Sequence, residues 1–295
     1  MTLRRSAPQA VKRHGRRLSR RVGQATAEIR MRPSFVLVGA QRCGTTSLFR
    51  ALMAHPLVQP PVFHKGINYF DLNYHRGNDW YYGHFPVRRI AALRTARSAG
   101  EPVTFEASGY YTYHPLAPER MARELPDAKL LLMVRDPVER AYSAHRHELA
   151  RGFETEPFER ALELEDERLA GEVERMAADP RYESHSHRHH SYRRRGHYAE
   201  QVTRLHALFG PGQVLVIESE AFFTRPQPEY ARVLDFLDLP QFGPHRFDRW
   251  NGRPRAPMEP ATRRWLSEYF EPHDVALSRL LGHPPEWTRG ETSGT

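Results

Sequence analysis

A short apolar run that ends in a glycine-rich turn constrains this sequence more than any other feature. The run starts at Phe35, the turn extends from Gly39 to Gly44, and Thr45 opens a segment of helix-forming residues. This order predicts a buried strand, a tight turn and a helix. The backbone N–H groups of such a turn, together with the N-terminus of the helix, bind phosphate or sulfate. The segment therefore predicts an anion-binding loop.

The loop has the glycine spacing of the nucleotide-hydrolase signature Gly-x4-Gly-Lys-Ser/Thr but departs from it at one position. Thr45 stands where that signature has lysine, and the nearest cation is Arg42, inside the loop. A cation at this place followed by Gly-Thr-Thr resembles the 5′-phosphosulfate loop of sulfotransferases, which use 3′-phosphoadenosine 5′-phosphosulfate (PAPS). The resemblance implies that Arg42 neutralises the bridging oxygen during catalysis. It also implies cofactor contacts along the whole turn, at Arg42, Cys43, Gly44, Thr45, Thr46 and Ser47.

A second motif begins at Arg135, directly after the apolar run of residues 129–134. This run fits a strand buried on both faces, and a proline two residues after Arg135 fits the first turn of a helix. Arg135 then lies at the carboxyl end of a strand, where open α/β sheets bind ligands, and Ser143 lies two turns along the helix. In the family that the loop resembles, an Arg and a Ser at this spacing hold the 3′-phosphate. The alternative role of Arg135 is structural, as a salt bridge at the strand end with Asp136 or Glu139.

Further segments follow in the order found in the heparan sulfate N- and O-sulfotransferase branch of that family. They are Trp80-Tyr81 with Phe85-Pro86, Phe105-Glu106 with Tyr110, Gly196 with Tyr198, and Asn251-Gly252-Arg253. The resemblance spans about residues 34 to 287. Golgi-resident members of this family carry a membrane anchor, and because the sequence shows no such span we expect a bacterial member of the branch. The resemblance also implies that Tyr198 contacts the cofactor and that a loop with Gly252 and Arg253 closes over it.

Predicted strands alternate with predicted helices along the chain, which indicates a mostly parallel sheet covered on both faces. Together with the anion loop, this pattern predicts an α/β fold of the P-loop type, a three-layer sandwich with a central, mostly parallel sheet. We expect a single sulfotransferase domain over residues 33–290. Within it, the charged segment from Pro157 to Ala178 is expected to form one surface helix.

Basic residues crowd the first 32 positions, where apolar residues are sparse. This composition predicts that residues 1–32 are a basic extension, disordered or weakly helical, which is either a solvated tail or a weak contact with anionic membrane. The net charge of +9 also suits a cofactor with two phosphate-type groups, so we expect no specific nucleic-acid partner. The sequence shows neither a long apolar span nor a signal core, so we expect a cytoplasmic enzyme.

A histidine-rich segment precedes Gly196, and its histidines are His185, His187, His189 and His190. Imidazole is a common ligand of transition metals, but the arginines interspersed here oppose the binding of a cation. We therefore expect no metal and interpret the segment as a mobile cationic loop at the active site. Cys43 is the single cysteine, so an intrachain disulfide is excluded, and we interpret it as a small residue that fits the turn.

The general base is where the sequence departs from the family. The family pattern is Lys-Glu-x-His-Phe-Phe-Asp, whereas this chain has Gly66 at the position of the glutamate that takes the acceptor's proton. Three residues could replace that glutamate: His64, Asp71 and Glu106. His64 has a suitable ordinary pKa, and burial could tune the pKa of Glu106. All three stay open as candidates.

The resemblance to sulfotransferases implies transfer of the sulfuryl group of PAPS, without a metal, to a hydroxyl or amine of a glycan, glycolipid or small metabolite. A P-loop kinase or nucleotide hydrolase is one alternative, which Thr45 disfavours. A relative that binds the nucleotide but does not catalyse, because Gly66 replaces the base, is another. The acceptor and the oligomeric state stay open.

Overall fold

A parallel β-sheet forms the centre of the protein. The computed structural model describes residues 20–62, 65–244, 247–248 and 256–289. Within these ranges the strands are β1 (Phe35–Gly39), β2 (Val58–Gln59), β3 (Val103–Ala107), β4 (Lys129–Val134) and β5 (Val214–Glu218). They pair in the order β2-β3-β1-β4-β5, and every pair is parallel. The predicted α/β fold is confirmed, and its sheet is parallel throughout the described residues.

Helices make up most of the remaining described chain. They are α1 (residues 20–25), α2 (Thr45–Met53), α3 (Asn78–Tyr82), α4 (Arg88–Thr95), α5 (Ala117–Glu124), α6 (Pro137–Arg151), α7 (Phe158–Glu163), α8 (Glu165–Leu169), α9 (Glu172–Ala178), α10 (His185–His189), α11 (Tyr198–Phe209), α12 (Ser219–Thr224), α13 (Pro226–Phe236) and α14 (Pro260–Leu281). A π-helical turn, Tyr69–Asn73, lies between β2 and α3. Among the described helices, none has both the length and the apolar character that crossing a bilayer requires.

The helices cover both faces of the sheet. The chain leaves β1 through α2 towards β2 on one side, and it leaves β3 through α5 towards β4 on the other side. Because such crossovers are right-handed, α2 and α5 lie on opposite faces. Helix α11 packs against α5, and Tyr230 of α13 donates a hydrogen bond to the carbonyl of Ala51 in α2 at 3.0 Å. The predicted three-layer sandwich is therefore confirmed.

The middle strands carry the hydrophobic core. The side chains of Val36, Leu37 and Leu131 are fully buried, and each such burial stabilises the fold by about 1.5–3 kcal/mol. The rings of Phe35 and Phe105 stack across β1 and β3 with centroids 4.7 Å apart. Since β1 is in the centre of this rigid sheet, the loop that follows it starts from a fixed position.

The start of α6 follows local rules that the sequence already shows. The Asp136 carboxylate caps the helix by accepting hydrogen bonds from the backbone N–H of Val138 at 2.9 Å and of Glu139 at 3.4 Å. Pro137 occupies the first turn, where a backbone N–H is not needed. The helix ends at Gly152, which has φ +74°. These signals fix α6 directly after β4, as predicted.

The prediction of one surface helix from Pro157 to Ala178 is wrong, because the structure has three short helices there, α7 to α9. Gly171 has φ +71°, a left-handed conformation that interrupts the helical path before α9. Glu165 is fully buried and accepts hydrogen bonds from the backbone N–H groups of Arg193, at 2.7 Å and 2.9 Å, and of Arg194, at 2.9 Å. These contacts draw the charged segment inward.

Part of the predicted N-terminal extension packs on the domain. The backbone N–H of Met31 donates to the carbonyl of Pro86 at 2.9 Å, and Arg30 Nη1 donates to the carbonyl of Phe85 at 2.5 Å. The side chain of Met31 is buried. Residues 1–19 lie outside the described residues, so the membrane contact and the boundaries of the domain stay predictions.

Candidate active site

The anion loop lies at the carboxyl end of β1 and is closely packed. A Cβ atom at Gly39 would lie 2.7 Å from Thr112 Cγ2, and one at Gly44 would lie 2.9 Å from the ring of Phe223. Gly44 also has φ +87° and is the N-cap of α2. Thr45 follows as the first residue of α2, where a helix leaves its N–H groups without intrahelical acceptors. The loop thus has the shape of an anion cradle that side chains at the two glycines would disturb.

The structure brings Arg42 and Ser143 together, although 101 positions separate them in the sequence. Arg42 Nε donates a hydrogen bond to Ser143 Oγ at 3.0 Å. Arg135, at the end of β4, lies 3.4 Å from the Glu139 carboxylate and therefore makes the salt bridge considered as its alternative role. Glu139 also accepts from Arg263 of α14. Three predicted cofactor residues thus lie around the first two turns of α6.

Cys43 and Tyr198 lie behind the loop rather than at its surface. Their side chains are buried, and the Cys43 thiol is 3.5 Å from the Tyr198 hydroxyl. Ser219, just after β5, donates a hydrogen bond to the carbonyl of Cys43. Burial raises the pKa of the Cys43 thiol to about 11, so it stays protonated. The two buried side chains thus support the loop from the core, which agrees with Cys43 as a small residue that fits the turn, and the cofactor contacts of Cys43 and Tyr198 stay predictions.

Lys65 has no assigned role in the sequence-based prediction, yet it lies at the mouth of the anion loop. Its ammonium donates hydrogen bonds to the hydroxyls of Thr45 and Thr46, both at 3.2 Å. Burial lowers the pKa of Lys65 to about 8. Lys65 is the first residue of the motif that continues with Gly66. In the sequence-based prediction this motif indicates only the missing glutamate, and its lysine is given no role.

Of the two candidate bases within the described residues, Asp71 is the one that keeps a slight exposure to solvent. It lies in the π-helical turn, a type of turn often found at functional sites. Its carboxylate accepts hydrogen bonds from Asn68 Nδ2 and from the backbone N–H of Leu72, both at 2.8 Å. Burial raises the pKa of Asp71 to about 6, although these hydrogen bonds partly offset the rise. At neutral pH this carboxylate is mostly ionised and able to accept a proton.

Glu106 is placed inside the core, so the expectation that it contacts an acceptor needs correction. Its exposed fraction is 0%. Neither of its oxygens makes a hydrogen bond of normal length within the described residues, and its charged neighbours include Asp71. Burial raises its pKa to about 8, and the nearby Tyr111 hydroxyl lowers it only in part. Glu106 is therefore mostly a neutral carboxylic acid at pH 7.

The histidine-rich segment is packed, not an open loop. It forms α10, and its His187 is buried with Nδ1 at 2.6 Å from the Tyr110 hydroxyl. Arg195 joins this segment to the anion loop, because it donates hydrogen bonds to the His187 carbonyl at 3.0 Å and to the Gln41 side chain. The sequence offers no spacing signal for the contact between Gln41 and Arg195. Burial lowers the pKa of His187 to about 3, so its ring is neutral.

One described group of side chains, His197, Glu200 and His273, has ligand atoms within 4.8 Å of one another. The imidazole rings of His197 and His273 stack with centroids 3.7 Å apart and planes 15° apart. A metal ion lies close to the plane of each imidazole that binds it, and the planes of these two stacked rings do not meet within bonding distance of both. The stacked rings therefore form a packing contact between the N-cap of α11 and helix α14.

Three predicted site residues, His64, Gly252 and Arg253, lie outside the described residues. Their roles as a base and as part of a closing loop stay predictions. The described site consists of the anion loop, Lys65, Asp71 and the arginines around α6.

Comparisons with known proteins agree with this geometry. The fold and the loop define an α/β enzyme of the P-loop type. The family model described as the sulfotransferase domain matches residues 32–249. The chain is 30% identical over 296 residues to the human bifunctional heparan sulfate N-deacetylase/N-sulfotransferase 3, a match that covers 88% of this chain and 31% of that protein. It is 28% identical to the human bifunctional heparan sulfate N-deacetylase/N-sulfotransferase 2, and this match also covers 88% of this chain and 31% of that protein.

A solved structure also matches. The sulfotransferase from Alicyclobacillus acidocaldarius is 32% identical, with a TM-score of 0.61, and the match covers 85% of this chain and 96% of that one. The chain belongs to the sulfotransferase family, so the resemblance carried by its loop is confirmed and the kinase interpretation is set aside. It spans about a third of the length of the curated relatives that it matches.

Proposed function

We propose that this protein transfers the sulfuryl group of PAPS to a hydroxyl or amine of a glycan, glycolipid or small metabolite. One observation carries the proposal: two cationic places lie at the same edge of the sheet. Lys65 is at the N-terminus of α2, and Arg42 is with Ser143 and Arg135 at the start of α6. PAPS has a phosphosulfate at one end and a 3′-phosphate on its ribose, so its two anionic groups suit these two places.

The residues of the chain act mainly by holding and orienting the donor. The first N–H groups of α2 bind the 5′-phosphosulfate, and Arg42 and Ser143 hold the 3′-phosphate. Arg135 reaches the same phosphate by exchanging its 3.4 Å contact with Glu139 for the ligand. Such positioning and charge stabilisation supply most of the catalysis in transfers of this kind. No described residue has to form a covalent intermediate.

Asp71 is the residue that we assign to take the proton of the acceptor. Its carboxylate is mostly ionised at neutral pH and lies in a turn close to the loop segment of Lys65, whereas Glu106 is sealed in the core. Arg188 of α10 is close enough to Asp71 to lower its pKa, so a cation borders the proposed base. This cation suits an anionic acceptor. The matched human relatives are named for N-sulfation of heparan sulfate, which makes an amine-bearing glycan the first acceptor to test.

A second candidate function is binding of the nucleotide without turnover, and Gly66 is the observation that favours it. A Cβ atom at this position would lie 3.1 Å from the carbonyl of Ala107 and 3.4 Å from Ser108 Oγ. The segment is thus close-packed against the end of β3 and has no room for a larger side chain without a shift. Such a protein would bind 3′-phosphoadenosine 5′-phosphate (PAP) but would not consume PAPS.

Calorimetric titration with PAP, with Mg-ATP as the comparison, tests the proposal. We expect tight binding of PAP that is lost in the double variant Arg135→Ala with Ser143→Ala and is kept in Arg160→Ala, a control at an exposed arginine that pairs with Glu163. Turnover of labelled PAPS with an amine-bearing glycan then separates the two candidate functions. A preference for Mg-ATP, or no binding of PAP, would overturn the sulfotransferase proposal.

Turnover itself tests the assignment of Asp71. The variant Asp71→Asn keeps the size and shape of the side chain, but it replaces one of the two acceptor oxygens with a donor and cannot accept the proton. We expect its kcat to fall by about 10²–10⁴ with little change in PAP affinity. An unchanged kcat would transfer the role to another group.

A further inference from the structure

Lys65 is a mostly buried cation that has no anionic partner in the described structure. Among the described residues, its ammonium donates hydrogen bonds only to the hydroxyls of Thr45 and Thr46, at 3.2 Å each, and it lies over the ring of Phe49 at 5.6 Å from the centroid. No described carboxylate lies within 4 Å of it, in contrast to Lys129, which pairs with Asp238. A buried charge is normally paired within the protein, so this one is arranged for an anion that comes from outside.

The position of Lys65 makes the lack of an anionic partner among the described residues more unfavourable. The ammonium lies beside the N-terminus of α2, which carries partial positive charge of its own. Two like charges at one point are unfavourable until an anion arrives, and burial already lowers the pKa of Lys65 to about 8. An anion bound at the helix N-terminus would contact the ammonium and the backbone N–H groups together. Both threonine hydroxyls hold the ammonium in position for that contact.

Arg42, the cation within the loop, is directed elsewhere. Its backbone has φ +73°, and its Nε donates to Ser143 at the start of α6. Arg42 therefore lies on the side of the loop where Arg135 also lies, and Lys65 lies on the side of the first turn of α2. Lys65 and Arg42 thus lie in two separate places, as a donor with two anionic groups requires.

We propose that Lys65, and not Arg42, is the catalytic cation that stabilises the leaving phosphate; this rests on the proposed sulfuryl transfer. A lone pair of the acceptor oxygen or nitrogen forms the new bond to sulfur while the bond from sulfur to the bridging oxygen breaks. The electron pair of the broken bond stays on the 5′-phosphate, beside the Lys65 ammonium. The acceptor's proton passes to the Asp71 carboxylate, and Lys65 remains an ammonium throughout. Arg42 is then a binding residue for the 3′-phosphate.

A comparison of kcat with PAP affinity tests this division of roles. Lys65→Met keeps the length of the side chain without its charge, and Arg42→Met does the same for the loop cation. Removal of one group that stabilises developing charge lowers kcat by about 10²–10³, so we expect this loss in Lys65→Met with PAP affinity within about tenfold of wild type. We expect the reverse in Arg42→Met, which weakens PAP binding more than it lowers kcat. Lys129→Met is the matched control, since its lysine pairs with an exposed Asp238.

Chemical labelling of the wild type gives a second test that does not depend on a folded variant. The chain has three lysines, Lys12, Lys65 and Lys129, so mass spectrometry can follow each one. We expect PAP to reduce acetylation of Lys65 by at least about tenfold and to leave Lys129 unchanged. If PAP binds in calorimetry but does not protect Lys65, or if Lys65→Met turns over PAPS like wild type, the role of Lys65 is overturned. If the wild type neither binds PAP nor consumes PAPS, it is the proposed function that fails.

Discussion

Replacement of Glu106 by glutamine is expected to change how the free energy of unfolding depends on pH. Burial raises the pKa of Glu106 from an ordinary value of 4.5 to about 8 in the folded protein. Between these values the folded state keeps a proton that the unfolded state releases, so the free energy of unfolding falls as the pH rises. The stabilisation is complete below the unfolded pKa and is lost as the pH rises to the folded one. Glutamine does not titrate, so Glu106→Gln lacks this dependence.

The magnitude follows from the size of the pKa change. Each pH unit in this interval contributes about 1.4 kcal/mol. Between about pH 5 and about pH 8, with the slope smaller near each end, the free energy of unfolding of Glu106→Gln should therefore rise by about 3.5 kcal/mol relative to wild type. Any packing or hydrogen bond lost with the amide is the same at each pH and cancels from this comparison.

Urea unfolding followed by tryptophan fluorescence, in a series of buffers across this pH range, measures the difference. Glu183→Gln, the same substitution at an exposed position, is the control for the chemical change itself. A difference between Glu106→Gln and wild type that is constant across this range would refute the reasoning. It would mean that the Glu106 carboxyl ionises in the folded state as readily as in water and that the core at the end of β3 admits solvent.

Three further predictions concern the loop and the N-terminal segment. Gly44→Ala should lower the free energy of unfolding by about 3 kcal/mol, because its backbone is left-handed and the new methyl group would contact Phe223. Gly152 has a similar φ but no neighbour within 4 Å of an added Cβ, so Gly152→Ala should lower it by only about 1–2 kcal/mol. Urea unfolding of both variants measures the two losses. Deletion of residues 1–31 should lower the free energy of unfolding by about 2 kcal/mol more than deletion of residues 1–19, because it removes a buried methionine; equal melting temperatures would contradict this. At about pH 8, Cys43 should react with a disulfide reagent about 100-fold more slowly in the native than in the urea-unfolded protein, and equal rates would show that the thiol is accessible.

Much of the fold could be predicted because its signals are local. The loop from Gly39 to Gly44 and the junction of β4 with α6 depend on residues within one short segment: a strand, a turn and a cap. Parallel strands then bring the carboxyl ends of β1 and β4 to one edge without further information. For this reason the sequence also predicted that Arg135 and Ser143 approach the loop. Local rules fail where a segment is shaped by distant contacts, as Glu165 shows by drawing α8 towards Arg193.

The contacts that define the chemistry of the site are not local. Lys65 meets Thr45 and Thr46 from a loop 20 positions away, and Arg195 meets Gln41 across 154 positions. No periodicity or spacing in the sequence encodes such pairs, since they depend on how separate segments pack. The burial of a side chain also depends on how separate segments pack. Glu106 stands at a strand end and was therefore a candidate base, but residues of other segments close over it.

The replacement of the family's glutamate by Gly66 changes the charge of the site as well as removing a base. A glutamate at this position would be next to Lys65 in the chain and would offset part of its charge. With glycine there, the described ammonium has only hydroxyl partners, so an incoming phosphosulfate is the first anion that it meets. In the proposed mechanism the proton of the acceptor goes to Asp71, whose carboxylate oxygens accept hydrogen bonds from an amide and a backbone N–H. In the proposed mechanism, the glycine at position 66 thus separates charge stabilisation at Lys65 from proton removal at Asp71.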